Sequence, residues 1–397
     1  MPRILAIVGT DAAAEAMRQI DPEVVAVYPI TPQTAVVEKF AEYVADGVVN
    51  TEMINVESEH SAMSACIGAA AAGGRVMTAT SSQGLALMWE ELYVAAGLRL
   101  PIVMTNVNRS LSAPINIHCD HSDSMGARDS GWIQLYSENA QELYDNLLQA
   151  VRIAEHPEVR LPVMVCVDGF IISHAIDRVE VLDDDRARAF LGDYVSLPGY
   201  SLLDAAQPVS IGMFDGLYGY YYEAKRAQEE AMARALTVIK EIGEEYRQVS
   251  GRGYGFWEEY GLEGAETCVV ALNSACGTIR SRLKEWRARG AKIGLLKLRV
   301  FRPWPGEELA RRLAEFKTVA VFDRAVTLAG GKGGPLCGEI AATLYGQAHR
   351  PRLVNYVYGL GGRDLTQALV DQALEELAAM PAVPEPMLPV RYLGLHA

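Results

Sequence analysis

The chain has 397 residues, half of them apolar, and a formal net charge of −14. That length predicts two domains, each able to bury a core, and the acidic balance argues against nucleic acid or an anionic membrane surface as a partner. No apolar run approaches a membrane span, the start Met1-Pro2-Arg3-Ile4-Leu5 lacks a signal-peptide pattern, and six scattered cysteines without a C-x-x-C pair fit reduced thiols in a cytoplasmic protein that itself holds no iron–sulfur cluster and no structural metal.

Taken in order, the chain alternates strand and helix. Ile4–Val8 reads as a strand, and Asp11 as the N-cap of a helix to Gln19 that Pro22 stops. Val24–Tyr28 is the next strand. The two prolines of its exit, Tyr28-Pro29-Ile30-Thr31-Pro32-Gln33-Thr34, forbid helix there and stiffen the turn. Val36, Val37, Phe40 and Val44 stand at helical spacing and place a helix over 33–45. Asn55-Val56-Glu57 reads as a short strand, and Ser58 as the cap of a small-residue helix from Glu59 to Ala70. Arg75–Thr80 is a strand, Ser81-Ser82-Gln83-Gly84 a turn, and Leu85–Ala96 a helix.

The apolar run Pro101–Met104 reads as a buried parallel strand, and a helix begins near Glu138. Between them Asn106–Gln134 shows neither helical nor strand period. It carries Ile115, Ile117, Met125 and Trp132 beside Arg109, Asp120, His121, Asp123 and Arg128, a poor composition for disorder. A long ordered polar loop at the C-terminal end of a parallel strand is where open α/β sheets put ligands. Leu161–Val167 is a further apolar strand, ended by Asp168-Gly169-Phe170.

Pro198-Gly199-Tyr200 and Gly216–Tyr222 read as aromatic loops, and a charged helix spans about 223–246. Residues 1–249 are thus one expected domain. The glycines of Ser250–Gly255, with Gly261 and Gly264, read as a linker over 250–265. A second α/β unit occupies 266–397. Its strands are expected at 267–272, 292–298, 318–322 and 353–357. Its helices start at Ser274, run over 307–316, follow the glycine loop Gly330–Gly334, and run over 364–379, ahead of an extended tail from Pro381. Continuous apolar strands with intervening helices predict an α/β fold with two parallel sheets, each covered on both faces.

Four motifs carry a resemblance: Tyr28-Pro29-Ile30-Thr31-Pro32, Val56-Glu57-Ser58-Glu59-His60-Ser61-Ala62, Thr80-Ser81-Ser82-Gln83-Gly84-Leu85 and Asn108-Arg109-Ser110-Leu111-Ser112-Ala113-Pro114-Ile115. With them the chain resembles the alpha subunit of 2-oxoacid:ferredoxin oxidoreductases, most of all the pyruvate:ferredoxin oxidoreductase (pyruvate synthase) branch. Asp168-Gly169-Phe170, Arg302-Pro303 and Gly333-Gly334-Pro335 extend the match over nearly the whole chain, and Pro198–Asp204 also resembles the pyruvate branch. The resemblance implies a transketolase pyrimidine-binding-like domain followed by a transketolase C-terminal-like domain. It implies thiamine diphosphate shared with a beta subunit that carries the diphosphate and Mg2+ site. It also implies [4Fe-4S] clusters on partner subunits, gamma and delta (ferredoxin-like) subunits or fusions of them, coenzyme A as co-substrate, and ferredoxin as electron acceptor.

The chemistry assigns roles within those motifs. Thiamine catalysis needs a carboxylic acid beside N1′ of the aminopyrimidine, and the cofactor does the rest. The motif places Glu59 there, in the first turn of a helix whose Ala62 and Met63 supply an apolar setting; Glu57 is its rival, and an acid at a helix N-terminus is also stabilised by the dipole alone. Arg109 is expected to hold the substrate carboxylate, because a guanidinium offers two parallel hydrogen bonds. Thr31 either donates its hydroxyl to the same substrate or caps the helix at Gln33. Tyr28, Pro29, Ile30, Ser82 and Gln83 are expected to line the cofactor site, with Ser81 to Gln83 equally readable as a helix cap. Asp120, His121, Asp123 and Arg128 form either a metal or acid–base cluster or, more simply, a hydrogen-bonded loop that shapes the pocket or meets a partner. No G-D-G…N segment for magnesium and diphosphate is present, so another chain must complete the site. The implied reaction is pyruvate with coenzyme A and oxidised ferredoxin to acetyl-coenzyme A, CO2 and reduced ferredoxin, reversibly. The alternatives are another 2-oxoacid (2-oxoglutarate, branched-chain, aryl pyruvate or oxalate) and a non-catalytic scaffold, which would need neither Glu59 nor Arg109.

Overall fold

The computed structural model describes residues 3–196, 201–212, 214–329, 333–380 and 390–396. Among them a seven-stranded sheet runs in the order Val300–Arg302, Ile133–Ser137, Val163–Asp168, Ile102–Asn108, Val76–Thr80, Val24–Val27, Glu52–Asn55. Every neighbouring pair is parallel except the edge pair Val300–Arg302 with Ile133–Ser137. The central strands Ile102–Asn108 and Val163–Asp168 are buried at every residue, which is why each begins with an apolar run, Ile102–Met104 and Val163–Val167.

The second sheet has six strands in the order Val390–Tyr392, Arg352–Val357, Thr318–Asp323, Thr267–Ala271, Ile293–Leu298, Trp257–Tyr260, and is parallel but for Trp257–Tyr260. One apolar cluster joins the two sheets, since Trp132 and Tyr136 share it with Leu298, Phe301 and Leu336.

Several expectations need correction. The first strand, Arg3–Val8, lies outside both large sheets and pairs antiparallel with Ile176–Val181. Asp11 is not an N-cap: its helix starts at Gly9, after Val8, and Asp11 sits in the first turn. The strand expected at 55–57 is Glu52–Asn55, and the helix expected over 85–96 is two helices, Ser82–Leu87 and Trp89–Gly97. The stretch 106–134 contains the short helix Ser122–Gly126 and the start of strand Ile133–Ser137. The linker expected over 250–265 carries the edge strand Trp257–Tyr260, and Val300–Arg302 returns from the second half of the chain to close the first sheet. Pro198–Tyr200, Gly330–Lys332 and most of the tail, Pro381–Pro389, lie outside the described residues.

The helix Glu59–Ala71 buries Ala62, Met63, Cys66, Ala70 and Ala71 against the strands of the first sheet. Its small side chains let it lie close. The 30-residue helix Tyr221–Ser250 buries Ala231, Ala235, Val238, Ile239, Ile242 and Tyr246, a stripe at three- and four-residue spacing, so packing rather than propensity holds its second half.

Candidate active site

In the first sheet the chain leaves each parallel strand at its C-terminal end. The residues expected to act on a ligand all lie just beyond those ends: Thr31 after Val24–Val27, Glu59 after Glu52–Asn55, Ser82 after Val76–Thr80, Arg109 after Ile102–Asn108. That is the crevice where open α/β sheets bind ligands.

Ser58 caps the helix that starts at Glu59, its hydroxyl accepting from Ser61 N at 3.2 Å. Glu59 is 6% exposed, and among the described residues no hydrogen bond reaches its carboxylate. A buried carboxylate without a protein partner is costly unless a ligand satisfies it. Glu57, the rival, is exposed, and the hydroxyl of Ser61 donates to it and holds its carboxyl below the ordinary value. The Ser81–Gly84 turn packs onto Glu59 so tightly that a Cβ on Gly84 would stand 2.8 Å from Glu59 Oε1 and collide with Thr80 Oγ1. The buried Thr80 Oγ1, Ser81 Oγ and Gln33 Nε2 also lack partners among the described residues. An unbonded acid packed on the turn that follows Thr80 and Ser81, whose hydroxyls are themselves unbonded, is a donor and acceptor set that fits a polar heterocycle such as an aminopyrimidine.

Gly84→Ala is therefore expected to cost about 1–3 kcal/mol by overpacking and to displace Glu59, lowering activity of the assembled enzyme. Gly68→Ala, in the same helix as Glu59 with no neighbour within 4 Å of its added Cβ, should leave both unchanged. Thermal unfolding and steady-state assays of the two variants make the comparison.

Arg109 is 7% exposed. Its Nε donates to Asn116 O at 3.2 Å and its Nη1 to Thr31 O at 2.9 Å. Burial lowers the guanidinium from its ordinary value, and Asp123 opposes that. Arg109 thus meets Thr31 through its backbone carbonyl and not its hydroxyl, and Nη2 has no protein partner among the described residues. Thr31 is not the helix cap; that position is Gln33. Thr31 and Pro29 are exposed and Tyr28 and Ile30 half-buried at the rim of the crevice. Ser82 is fully buried and Gln83 half-buried, with the Ser82 hydroxyl oxygen 2.6 Å from the side-chain amide of Gln83. Ser81 makes no side-chain cap bond.

The loop Asp120–Arg128 divides into separate roles. Asp123 is buried and accepts from Ser82 N at 3.0 Å and Arg109 N at 3.1 Å. Asp120 accepts from Ser122 N and from Gly361 N. Arg128 Nε lies 3.8 Å from Asp129. His121 donates to the fully buried Asp168, at 2.7 Å.

The sequence marks Asp168 as a strand terminator and as part of a matching motif but gives it no role in the site, yet it joins the two sheets. It accepts from Asn273 Nδ2 at 3.0 Å, Ser274 N at 3.2 Å, the Ser274 hydroxyl, and Arg324 Nη1 at 2.9 Å. Asn273 and Arg324 follow strands Thr267–Ala271 and Thr318–Asp323 of the second sheet. The C-terminal ends of both sheets therefore face one another across this carboxylate. Burial alone would raise Asp168, but Arg324 and then His121 hold it well below the usual carboxylate range. Cys119, His121 and Asp168 stand close enough for a metal, but Arg324 already neutralises Asp168.

The profile of the family described as pyruvate flavodoxin/ferredoxin oxidoreductase, thiamine diphosphate-binding, matches residues 15–244, and that of pyruvate:ferredoxin oxidoreductase core domain II matches 265–370. The chain belongs to this family. As a member it is a subunit of a thiamine diphosphate-dependent oxidoreductase acting on 2-oxoacids. It is 54% identical to pyruvate synthase subunit PorA of Thermotoga maritima over 392 residues, covering 99% of this chain and 98% of that protein. It is 49% identical to the PorA subunit of Methanocaldococcus jannaschii, covering 92% of each.

Among solved structures the fold matches the 2-oxoglutarate:ferredoxin oxidoreductase from Magnetococcus marinus with a TM-score of 0.74 at 20% identity, over 95% of this chain and 65% of that longer one. A split-gene transketolase matches with a TM-score of 0.51 at 13% identity, over 93% of each chain. The transketolase-like α/β architecture of the family is thus present here. No described helix is long and apolar enough to cross a membrane.

Proposed function

We propose that this chain is the alpha subunit of a pyruvate:ferredoxin oxidoreductase and that Glu59 and Arg109 are its working residues. The observation that carries the reading is a buried carboxylate without a protein hydrogen bond and a guanidinium with a free nitrogen among the described residues, both just beyond the C-terminal ends of parallel strands of one sheet. When bound, thiamine diphosphate supplies the carbanion chemistry that decarboxylates a 2-oxoacid. Glu59 holds the proton shared with N1′ of the aminopyrimidine. Arg109, through Nη2 and the second proton of Nη1, binds the substrate carboxylate, while the Thr31 carbonyl holds the guanidinium in place and the Thr31 hydroxyl donates to the same substrate. Tyr28, Pro29, Ile30, Ser82 and Gln83 wall the cofactor side and exclude water.

In this reading residues 1–249 form the pyrimidine-binding-like unit and 266–397 the C-terminal unit, in line with the two profile matches at 15–244 and 265–370. The beta subunit brings Mg2+ and the diphosphate site, and [4Fe-4S] clusters on the partner subunits pass electrons to ferredoxin. This division is favoured by the absence from the sequence of G-D-G…N and of cluster-spaced cysteines. The enzyme works in the cytoplasm, where its six free, buried thiols stay reduced.

Pyruvate is favoured over 2-oxoglutarate by the substrate tail. A methyl needs only a small apolar pocket, whereas a second carboxylate needs a second cation. Loop residues 110–117 hold no basic residue. Arg128 donates to Met125 O and lies beside Asp129, with no bond to Arg109 or Thr31. Pyruvate is expected to exceed 2-oxoglutarate by at least about tenfold in kcat/KM, which is about 1.4 kcal/mol. Steady-state assays of the assembled complex with both acids and coenzyme A test this; equal or better use of 2-oxoglutarate contradicts it.

A further inference from the structure

We infer that Asp123 is a positioning residue that sets the substrate-binding Arg109 and the Ser82 turn as one unit. The inference rests on the reading of Arg109 as the carboxylate-binding group. Asp123 lies in the short helix Ser122–Gly126 and is 4% exposed. Its Oδ2 accepts from Ser82 N at 3.0 Å, Arg109 N at 3.1 Å and Asn106 Nδ2 at 3.4 Å. Its Oδ1 accepts from Asn108 Nδ2 at 2.8 Å and Ser124 N at 2.7 Å.

No cation forms an ion pair with it among the described residues; Arg109 meets it through the backbone. Burial pushes its carboxyl up, and hydrogen bonds, first from Asn108, oppose that. A buried unpaired carboxylate is costly, and what it supplies is two oxygens that only accept. An asparagine side chain would turn an NH2 group toward one of the two sets of donors.

The clamp has a second strand. Ser82 has φ +47°, a left-handed backbone unusual for a residue other than glycine. It is held there by its N–H on Asp123 and by its hydroxyl, which donates to Ser110 O at 2.5 Å. Ser110 directly follows Arg109. The strand end carrying Arg109 is thus tied to the Ser82 turn twice, and that same turn packs Gly84 against Glu59. Asp123 touches neither substrate nor cofactor in this arrangement. It fixes the distance between the groups that do, and small misplacements of such groups are costly to rate.

The test is a double-mutant cycle on the assembled complex, with KM for pyruvate and kcat read separately for Asp123→Asn, Arg109→Lys and the double variant. Asp123→Asn is expected to raise KM on the order of tenfold, within the range of coupling between bonded neighbours. A merely structural loss would instead lower kcat through the active fraction and leave KM alone. In the Arg109→Lys background Asp123→Asn should add less than about twofold, because its effect passes through Arg109. A full, additive rise in that background overturns the proposal, as does a wild-type KM in Asp123→Asn when Arg109→Lys has raised it. An unchanged KM in Arg109→Lys overturns the reading of Arg109 itself, and this inference with it. Should Asp123→Asn fail to assemble, Asp123→Glu keeps the charge and shifts both oxygens. It is expected to raise KM in the same sense, and a wild-type KM there contradicts the role.

Discussion

Glu59→Gln in the assembled complex is expected to lower kcat by on the order of 10²–10⁴, the usual loss on removing one acid–base group, with KM for pyruvate and the unfolding transition little changed. The substitution keeps size and removes the ionisable proton. Structural losses should be small, because no protein hydrogen bond is made by the Glu59 carboxylate among the described residues and the Ser58 cap uses a hydroxyl and the Ser61 backbone instead. The charge at a helix N-terminus is lost as well, but that term is only about 0.3–1 kcal/mol. Glu57→Gln is the control. Glu57 is exposed and its partner is Ser61, so its removal should leave kcat within about twofold of wild type, since surface changes of this kind move energies by only about 0.5 kcal/mol. Equal losses in both variants would reverse the assignment.

Asp168→Asn is expected to destabilise the chain by about 3–5 kcal/mol, the cost of breaking a buried ion pair by removing one partner. It leaves Arg324, itself 3% exposed, without its counter-charge. It also turns an amide donor toward Asn273, Ser274 or Arg324, all of which donate to Asp168 in the native protein. The pH dependence gives a second signature. The folded state holds the Asp168 carboxyl well below its ordinary value. Its contribution is therefore fully present above the ordinary carboxylate range, near pH 4, and is lost progressively as pH falls below it. Asp168→Asn should flatten that part of the acid limb in denaturant melts recorded as a function of pH. An unchanged acid limb with only a uniform loss would assign Asp168 to packing rather than to the ion pair.

The central strands were legible because they are buried on both faces and so open on apolar runs, Ile102–Met104 and Val163–Val167, that no polar residue breaks. Edge strands were not. Trp257–Tyr260 exposes Glu258 and Glu259 and stands among glycines, so its composition reads as a connection. Val300–Arg302 is three residues long and owes its existence to a neighbour more than 160 residues earlier in the chain. Ile133–Ser137 is wholly buried, but Gln134 and Ser137 interrupt its apolar pattern; Gln134 Nε2 donates to Ser124 O at 2.8 Å, a partner that no local pattern announces.

The site divides the same way. Glu59, Arg109 and Thr31 were singled out through their motifs, and the fold brings Arg109 Nη1 onto the backbone carbonyl of Thr31, a contact that no motif announces. The roles of Asp123 and Asp168 were hidden because each acts on donors brought by separate strands. A signal was present in Asn106 and Asn108, two amides in a buried strand, which require a polar partner that the strand itself cannot supply.

The central claim, that Glu59 of this chain activates thiamine diphosphate, is tested most directly by C2 proton exchange of the bound cofactor in the assembled complex, without substrate. Wild type and Glu59→Gln are loaded to the same cofactor occupancy and the loss of the C2 proton into deuterated solvent is followed by quenched NMR. The account predicts exchange slowed in Glu59→Gln by on the order of 10²-fold or more. Exchange at the wild-type rate would contradict it and leave Glu59 as a helix-terminal acid with no part in the chemistry.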